Sequence, residues 1–76
     1  MVKVTPKLKI QSTIHICRAE KRITQQDLAD AVGVTRATII SIEKGNYNPS
    51  LELSFRIALY FGKDVQEIFY VEKEDE

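Results

Sequence analysis

The sequence predicts an all-α domain of five short helices, extended by a small two-stranded antiparallel sheet made from its two ends. Three observations predict it. Apolar residues through the middle of the chain recur at helical spacing, with Ser or Thr ahead of the runs and Gly behind them. Two of these runs are joined by a turn short enough to hold the helices at close range. Period-two alternation, the mark of a half-buried strand, is confined to the start of the chain and to an IFYVE segment near its end.

The bulk properties bound what such a chain can be. Seventy-six residues make one domain with a small core, and 43% hydrophobic content is ample for a globule. No apolar run approaches the roughly 20 residues that cross a bilayer, and MVKVTPKLKI lacks the apolar block of a signal peptide. A single cysteine cannot form an internal disulfide, which suits a reducing cytoplasm. The formal net charge is zero, but it is unevenly spread. Residues 1–50 carry eight Lys and Arg against four Asp and Glu, whereas residues 51–76 carry three against seven. The basic half is therefore the half to test for phosphate contact.

That half contains QQDLADAVGVTRATIISIE, Gln25 to Glu43. Thr24 is placed to cap a first helix, with Asp27 three residues on as its reciprocal partner. Gly33 stands where the chain turns, Thr35 is placed to cap a second helix, and Gly45 stops it. Leu28, Val32, Val34, Ile39 and Ile42 can share one core, with Ala29 small where the helices cross. The second helix then presents Arg36, Ala37, Ile40, Ser41 and Lys44 outward. This is the pattern of a helix-turn-helix, whose second helix lies in the DNA major groove.

From about Ser12 to Phe69 the chain resembles the Cro/repressor (Xre) type of helix-turn-helix transcriptional regulators. The resemblance rests on the TQQxLA opening, the G-V-T turn, the T-I-x-x-I-E run and the K-G-x-x-N-P-S loop. It implies a repressor-like domain binding double-stranded DNA, with helix 36–44 reading the major groove. Arg36, Ala37, Ile40 and Ser41 would meet base edges, Ile40 against a thymine methyl. Gln25, Thr35, Thr38, Lys44, Asn46, Tyr47 and Asn48 would serve the DNA backbone. Position 37, often Gln in the family, is Ala here, and position 40, often Ser, is Ile; both lie on the outward face, so the operator need not match a relative's. The resemblance also implies a bidentate pair between Arg18 and Glu43 that fixes helix 1 to the recognition helix. The competing role for Arg18 is phosphate contact. Tyr47 has two roles open to it, phosphate contact or packing that pins its loop.

The remaining segments follow in chain order, as an arm and strand over 1–11, a DNA-binding domain over 12–69, and a strand end with acidic tail over 70–76. Lys7 to Gln11 is the better first strand because Pro6 interrupts the alternation, and Ile68 to Glu72 is the available partner. The alternative is a basic arm draped on DNA. Ser12 is expected to cap a helix running to Lys21, with Ile14 and Cys17 inward and His15 solvated. No second His or Cys accompanies these residues, so neither a metal set, a cofactor nor a nucleophile–base pair is expected. Ser50 caps helix 4, whose apolar residues run nearly all round it. One stripe, Leu51, Phe55, Ala58 and Phe61, is assigned to the core. The second, Leu53, Ile57 and Tyr60, joins Ile68, Phe69 and Tyr70 as the expected interface of a two-fold homodimer on a palindromic operator. Asp64 and Glu67 bracket the start of a last helical turn. The rival to a cytoplasmic DNA-binding regulator is an antitoxin-like or adaptor module that uses the second stripe of helix 4 to hold a protein. No catalytic constellation is present, so an enzyme is not expected.

Overall fold

The computed structural model describes residues 8–72. Its elements follow in the order β1 (Ile10–Ser12), α1 (Ile14–Lys21), α2 (Gln25–Val32), α3 (Arg36–Glu43), α4 (Leu51–Phe61), α5 (Val65–Ile68) and β2 (Phe69–Val71). The expected arm over Met1–Thr5, residue Lys7 and the end of the acidic tail lie outside the described residues.

The caps explain the boundaries. The Thr24 hydroxyl accepts from the Asp27 N–H, and the Asp27 carboxylate accepts from the Thr24 N–H, both at 3.0 Å. Thr35 accepts from the Thr38 N–H and Ser50 from the Leu53 N–H, so α3 and α4 each begin on a hydroxyl cap. The Asp64 N–H donates to Glu67 at 2.9 Å and starts α5. Gly33 closes α2 at φ 80°, a left-handed conformation that a side chain at this position would strain.

The sheet forms as expected, with β1 ending one residue later, at Ser12, and β2 lying within the expected segment 68–72. β1 and β2 pair antiparallel with Ile10 opposite Val71, Gln11 opposite Tyr70 and Ser12 opposite Phe69. Ser12 is thereby a strand residue and not the cap of α1. Thr13 takes the cap position, but its hydroxyl makes no cap bond; it donates instead to the Glu67 carbonyl at 3.2 Å. The start of α1 is thus tied to α5.

One core unites the helices: Ile14, Cys17, Leu28, Ala29, Val32, Ile39, Ile42, Leu53, Ile57, Ala58 and Ile68 are all buried. Each large aliphatic side chain removed from water contributes about 1.5–3 kcal/mol before the chain-ordering cost. Cys17 is one of these buried apolar groups, and His15 is exposed.

Helix α4 divides the sequence assignment: of the expected core stripe, Ala58 is buried and Phe61 packs against the core, but Leu51 and Phe55 are outside. Leu53 and Ile57 line the core at 8% and 0% exposure, while Leu51 and Phe55 stand 72% and 53% exposed. The expected dimer surface is corrected accordingly: Leu53, Ile57 and Ile68 are interior. Tyr60 and Phe69 are half-buried against the same core, and the Lys21 ammonium sits 4.9 Å from the centre of the Tyr60 ring. Tyr70 alone of the six is exposed. The physical reason is that α4 packs on α2 and α5, and that seating takes Leu53, Ile57 and Ala58 inward. Both stripes are apolar enough to fill a core, so hydropathy alone does not choose between them.

Candidate nucleic-acid interface

Two short helices and a tight turn build the site. The backbone N–H groups of Gly33 and Val34 both donate to the Ala29 carbonyl, at 2.9 and 3.0 Å, which folds the chain back at once. Ala29 is fully buried, small enough for α3 to lie close across α2. Ile39 and Ile42 then face the core. The opposite side of α3 carries Arg36, Ala37 and the cap Lys44 exposed, with Ile40 and Ser41 half-buried. The five residues expected outward therefore share one side of the helix, and Lys44 is its C-cap rather than a helical residue.

The base of α3 is clamped by a polar cluster. Arg18 donates to Glu43 through Nε at 2.7 Å and through Nη2 at 3.3 Å, the fork geometry expected of this pair. Its Nη1 also donates to the Ile23 carbonyl, so the guanidinium is occupied with structure. The Gln25 amide donates to Oε1, the carboxylate oxygen that Arg18 Nη2 also reaches, at 3.1 Å. Glu43 thus binds α1, α2 and α3 at one point. Burial alone would raise its carboxyl, but the hydrogen bonds from Arg18 and Gln25 and the guanidinium charge outweigh that and hold it below the usual carboxylate range.

Gln25, expected at the DNA backbone, is therefore half-buried and held in place rather than free. It lines an open groove with Arg18, Ile23, Thr24, Gln26 and Arg36. Thr35 and Thr38 share a hydroxyl contact of 3.1 Å at the N-terminus of α3. Asn46, Tyr47 and Asn48 are exposed on the loop that follows α3, and Tyr47 contributes to the wall of a hollow beside α4.

The sequence reading missed the brace under that loop. Gln11, from β1, lies over Gly45: a Cβ added there would stand 2.9 Å from the Gln11 Oε1. Gly45 has φ 75°, and that conformation favours glycine at the end of α3, whereas the Gln11 amide is the end of a flexible side chain that can move aside. Nothing in the local sequence of either residue signals the contact, because it exists only once the sheet has formed. Also unforeseen was Arg22, which closes α1 in the left-handed region at φ 58°.

Comparison with known proteins decides what this architecture belongs to. The family model described as Helix-turn-helix matches residues 14–68. The chain belongs to the helix-turn-helix family of transcriptional regulators. It is 52% identical over 66 residues to an uncharacterised HTH-type transcriptional regulator of Methanocaldococcus jannaschii, covering 87% of this chain and all of that one. It is 32% identical over 57 residues to the cryptic phage CTXphi transcriptional repressor RstR of Vibrio cholerae, covering 75% of this chain and 51% of RstR. The structure of the transcriptional regulator VanUg superposes with a TM-score of 0.78 at 21% identity, covering 97% of this chain and 99% of that one. The last likeness bears on fold, and it extends through the terminal sheet. Within the helix-turn-helix, α3 is the second helix. Among the described residues no group of His, Cys, Asp and Glu is arranged to hold a metal ion, and no helix is long and apolar enough to cross a membrane.

Proposed function

We propose that this protein is a cytoplasmic, non-enzymatic repressor that reads a palindromic operator as a two-fold dimer, one recognition helix per half-site. The single observation that carries the reading is the outward side of α3, where Arg36, Ala37, Ile40, Ser41 and Lys44 stand together on a helix clamped at its base by Glu43. A helix held at its end from both α1 and α2 delivers its side chains at fixed positions, which base-edge recognition requires.

In this reading Arg36 pairs with a guanine edge, Ser41 adds a hydrogen bond, and Ile40 and Ala37 form the apolar contact with thymine methyl groups. Thr35, Thr38, Lys44, Asn46, Tyr47 and Asn48 hold the phosphate backbone on either side. Gln25 has donated one amide hydrogen to Glu43 and keeps its second hydrogen to donate to a neighbouring phosphate, with its carbonyl oxygen accepting from water. Arg18 belongs to the structural clamp. A repressor is favoured because RstR, a relative of this chain, carries that role in its name. Two copies are needed because one short helix reads too few base pairs to select a site in a genome; half-sites one helical turn, about 34 Å, apart match a two-fold dimer.

The test is selection of bound fragments from randomised duplex DNA, followed by affinity measurements against salt. The expected product is an inverted repeat whose log affinity falls with log salt by about 0.9 per phosphate neutralised. Recovery of no consensus, with affinity insensitive to salt, would overturn the reading.

A further inference from the structure

A hollow opens between the turn that leads into α3 and the loop that leaves it. Gly33 and Val34 line it from the turn, Tyr47 from the loop, and Glu52 and Arg56 from α4. Arg56 is the one cation of its lining and Glu52 the one anion. The two form a pair one turn of helix apart. Arg56 donates through Nε at 3.0 Å and through Nη2 at 2.6 Å, both to Oε2 of Glu52. Its Nη1 stays outside the pair and lies against the turn, 3.7 Å from where a Cβ on Gly33 would stand.

We infer that Arg56 is a contact to the DNA phosphate backbone and that Glu52 is its built-in competitor, holding the guanidinium where a phosphate would otherwise sit. The inference rests on the DNA reading above and adds two residues to it. The turn side of the hollow continues into Thr35 and Thr38, and the loop side carries Asn46, Tyr47 and Asn48. Both sides are assigned to the phosphate backbone, so the guanidinium stands between two backbone contacts. Carboxylate and phosphate oxygens seek the same donors of a guanidinium, and Glu52 already occupies the Nε–Nη2 edge that would fork onto a phosphate. The hold is weak, because the Arg56 and Glu52 side chains are 56% and 74% exposed and water screens the pair. An approaching phosphate can therefore displace the carboxylate, and the pair that must be broken subtracts from the binding gained. Glu52 thus lowers the part of the affinity that carries no sequence information.

Two simpler roles for these residues make different predictions. Glu52 stands in the first turn of α4, behind the Ser50 cap, where a carboxylate favours the helix dipole. A residue kept only for that purpose changes melting when it is replaced and leaves DNA affinity alone. A carboxylate that merely repels phosphate strengthens binding when it is neutralised, whatever stands at position 56. Competition for the guanidinium requires Arg56 for the gain, and that dependence separates it from both.

The experiment measures the affinity of the full chain for a random-sequence duplex across a range of salt, with thermal melts beside it. Glu52→Gln should bind about 5–10-fold tighter near ~0.1 M salt, and its log affinity should fall with log salt more steeply by about 0.9, the share of one further phosphate. Arg56→Gln should bind within about 3-fold of the parent, since its charge is already engaged by Glu52. Glu52→Gln combined with Arg56→Gln should lose the gain. Both side chains are exposed, so all three variants should melt close to the parent. A Glu52→Gln variant that binds no tighter than the parent overturns the inference, whatever its melting temperature does. A double variant that keeps the gain overturns it too and makes Glu52 a plain repulsive charge. A parent whose duplex binding ignores salt overturns the DNA reading and this inference together, whereas a parent that binds as proposed confines any failure to Glu52 and Arg56.

Discussion

Helices α3 and α4 each bury one side in the same core, and they differ in what they leave outside. The outer side of α3 mixes an arginine, a lysine and a serine with two small or branched apolar groups, and a clamp of three hydrogen bonds from Arg18 and Gln25 holds its end. The outer side of α4 is three large apolar side chains and one internal ion pair. The first surface offers donors and methyl contacts at fixed positions, which suits base edges in a wet groove. The second offers area and little direction, which suits a protein. A domain this small thus leaves two surfaces of separate chemistry to solvent.

The difference between the two sides of α4 gives the largest effect to measure. Ile57→Ala empties a fully buried site and should lower stability by ~2–5 kcal/mol, whereas Leu59→Ala, at 79% exposure, should change it by no more than ~0.5 kcal/mol. Chemical denaturation of both variants reads this directly. Similar losses from the two would mean that Leu59 is buried as Ile57 is, contradicting the seating of α4 described above.

At the end of α3, Glu43→Gln keeps the shape of the clamp and removes its charge. At neutral pH the variant should be less stable by ~1–3 kcal/mol, because the Arg18 guanidinium, only 19% exposed, loses its counter-ion. The pH dependence has a definite sign. The folded-state pKa of Glu43 is depressed, so its stabilisation is fully present above the ordinary carboxylate pKa and is lost as pH falls through the lowered one. Melting temperatures of parent and variant should therefore draw together in acid. A constant gap down to low pH would remove Glu43 from the account of acid lability.

The same contrast between helices explains what was legible in the sequence. α2 and α3 each carry one apolar side, a hydroxyl cap and a glycine behind, so spacing alone assigns Leu28, Ile39 and Ile42 inward and Arg36 outward. The Arg18–Glu43 pair came from the family resemblance, and its fork geometry is present. Helix α4 carries apolar residues on both sides, and a periodic pattern with two solutions has no way to choose between them; the seating on α2 and α5 does. Ser12 was legible as a hydroxyl cap before a helix, but the sheet claims it, and α5 claims the hydroxyl of Thr13, which takes the cap position. The Gln25–Glu43 and Gln11–Gly45 contacts join residues 18 and 34 positions apart in the chain, and neither has a local signal. What local chemistry decides can be read from the sequence; what packing decides becomes visible only in the folded chain.

The most direct test of the recognition surface compares the parent and Arg36→Ala on the selected operator and on random duplex at one salt concentration. The expected result is a loss of ~1–3 kcal/mol on the operator, with much less change on random DNA, since a base-edge contact carries discrimination and a phosphate contact does not. Equal weakening on both duplexes would contradict it and assign Arg36 to the phosphate backbone.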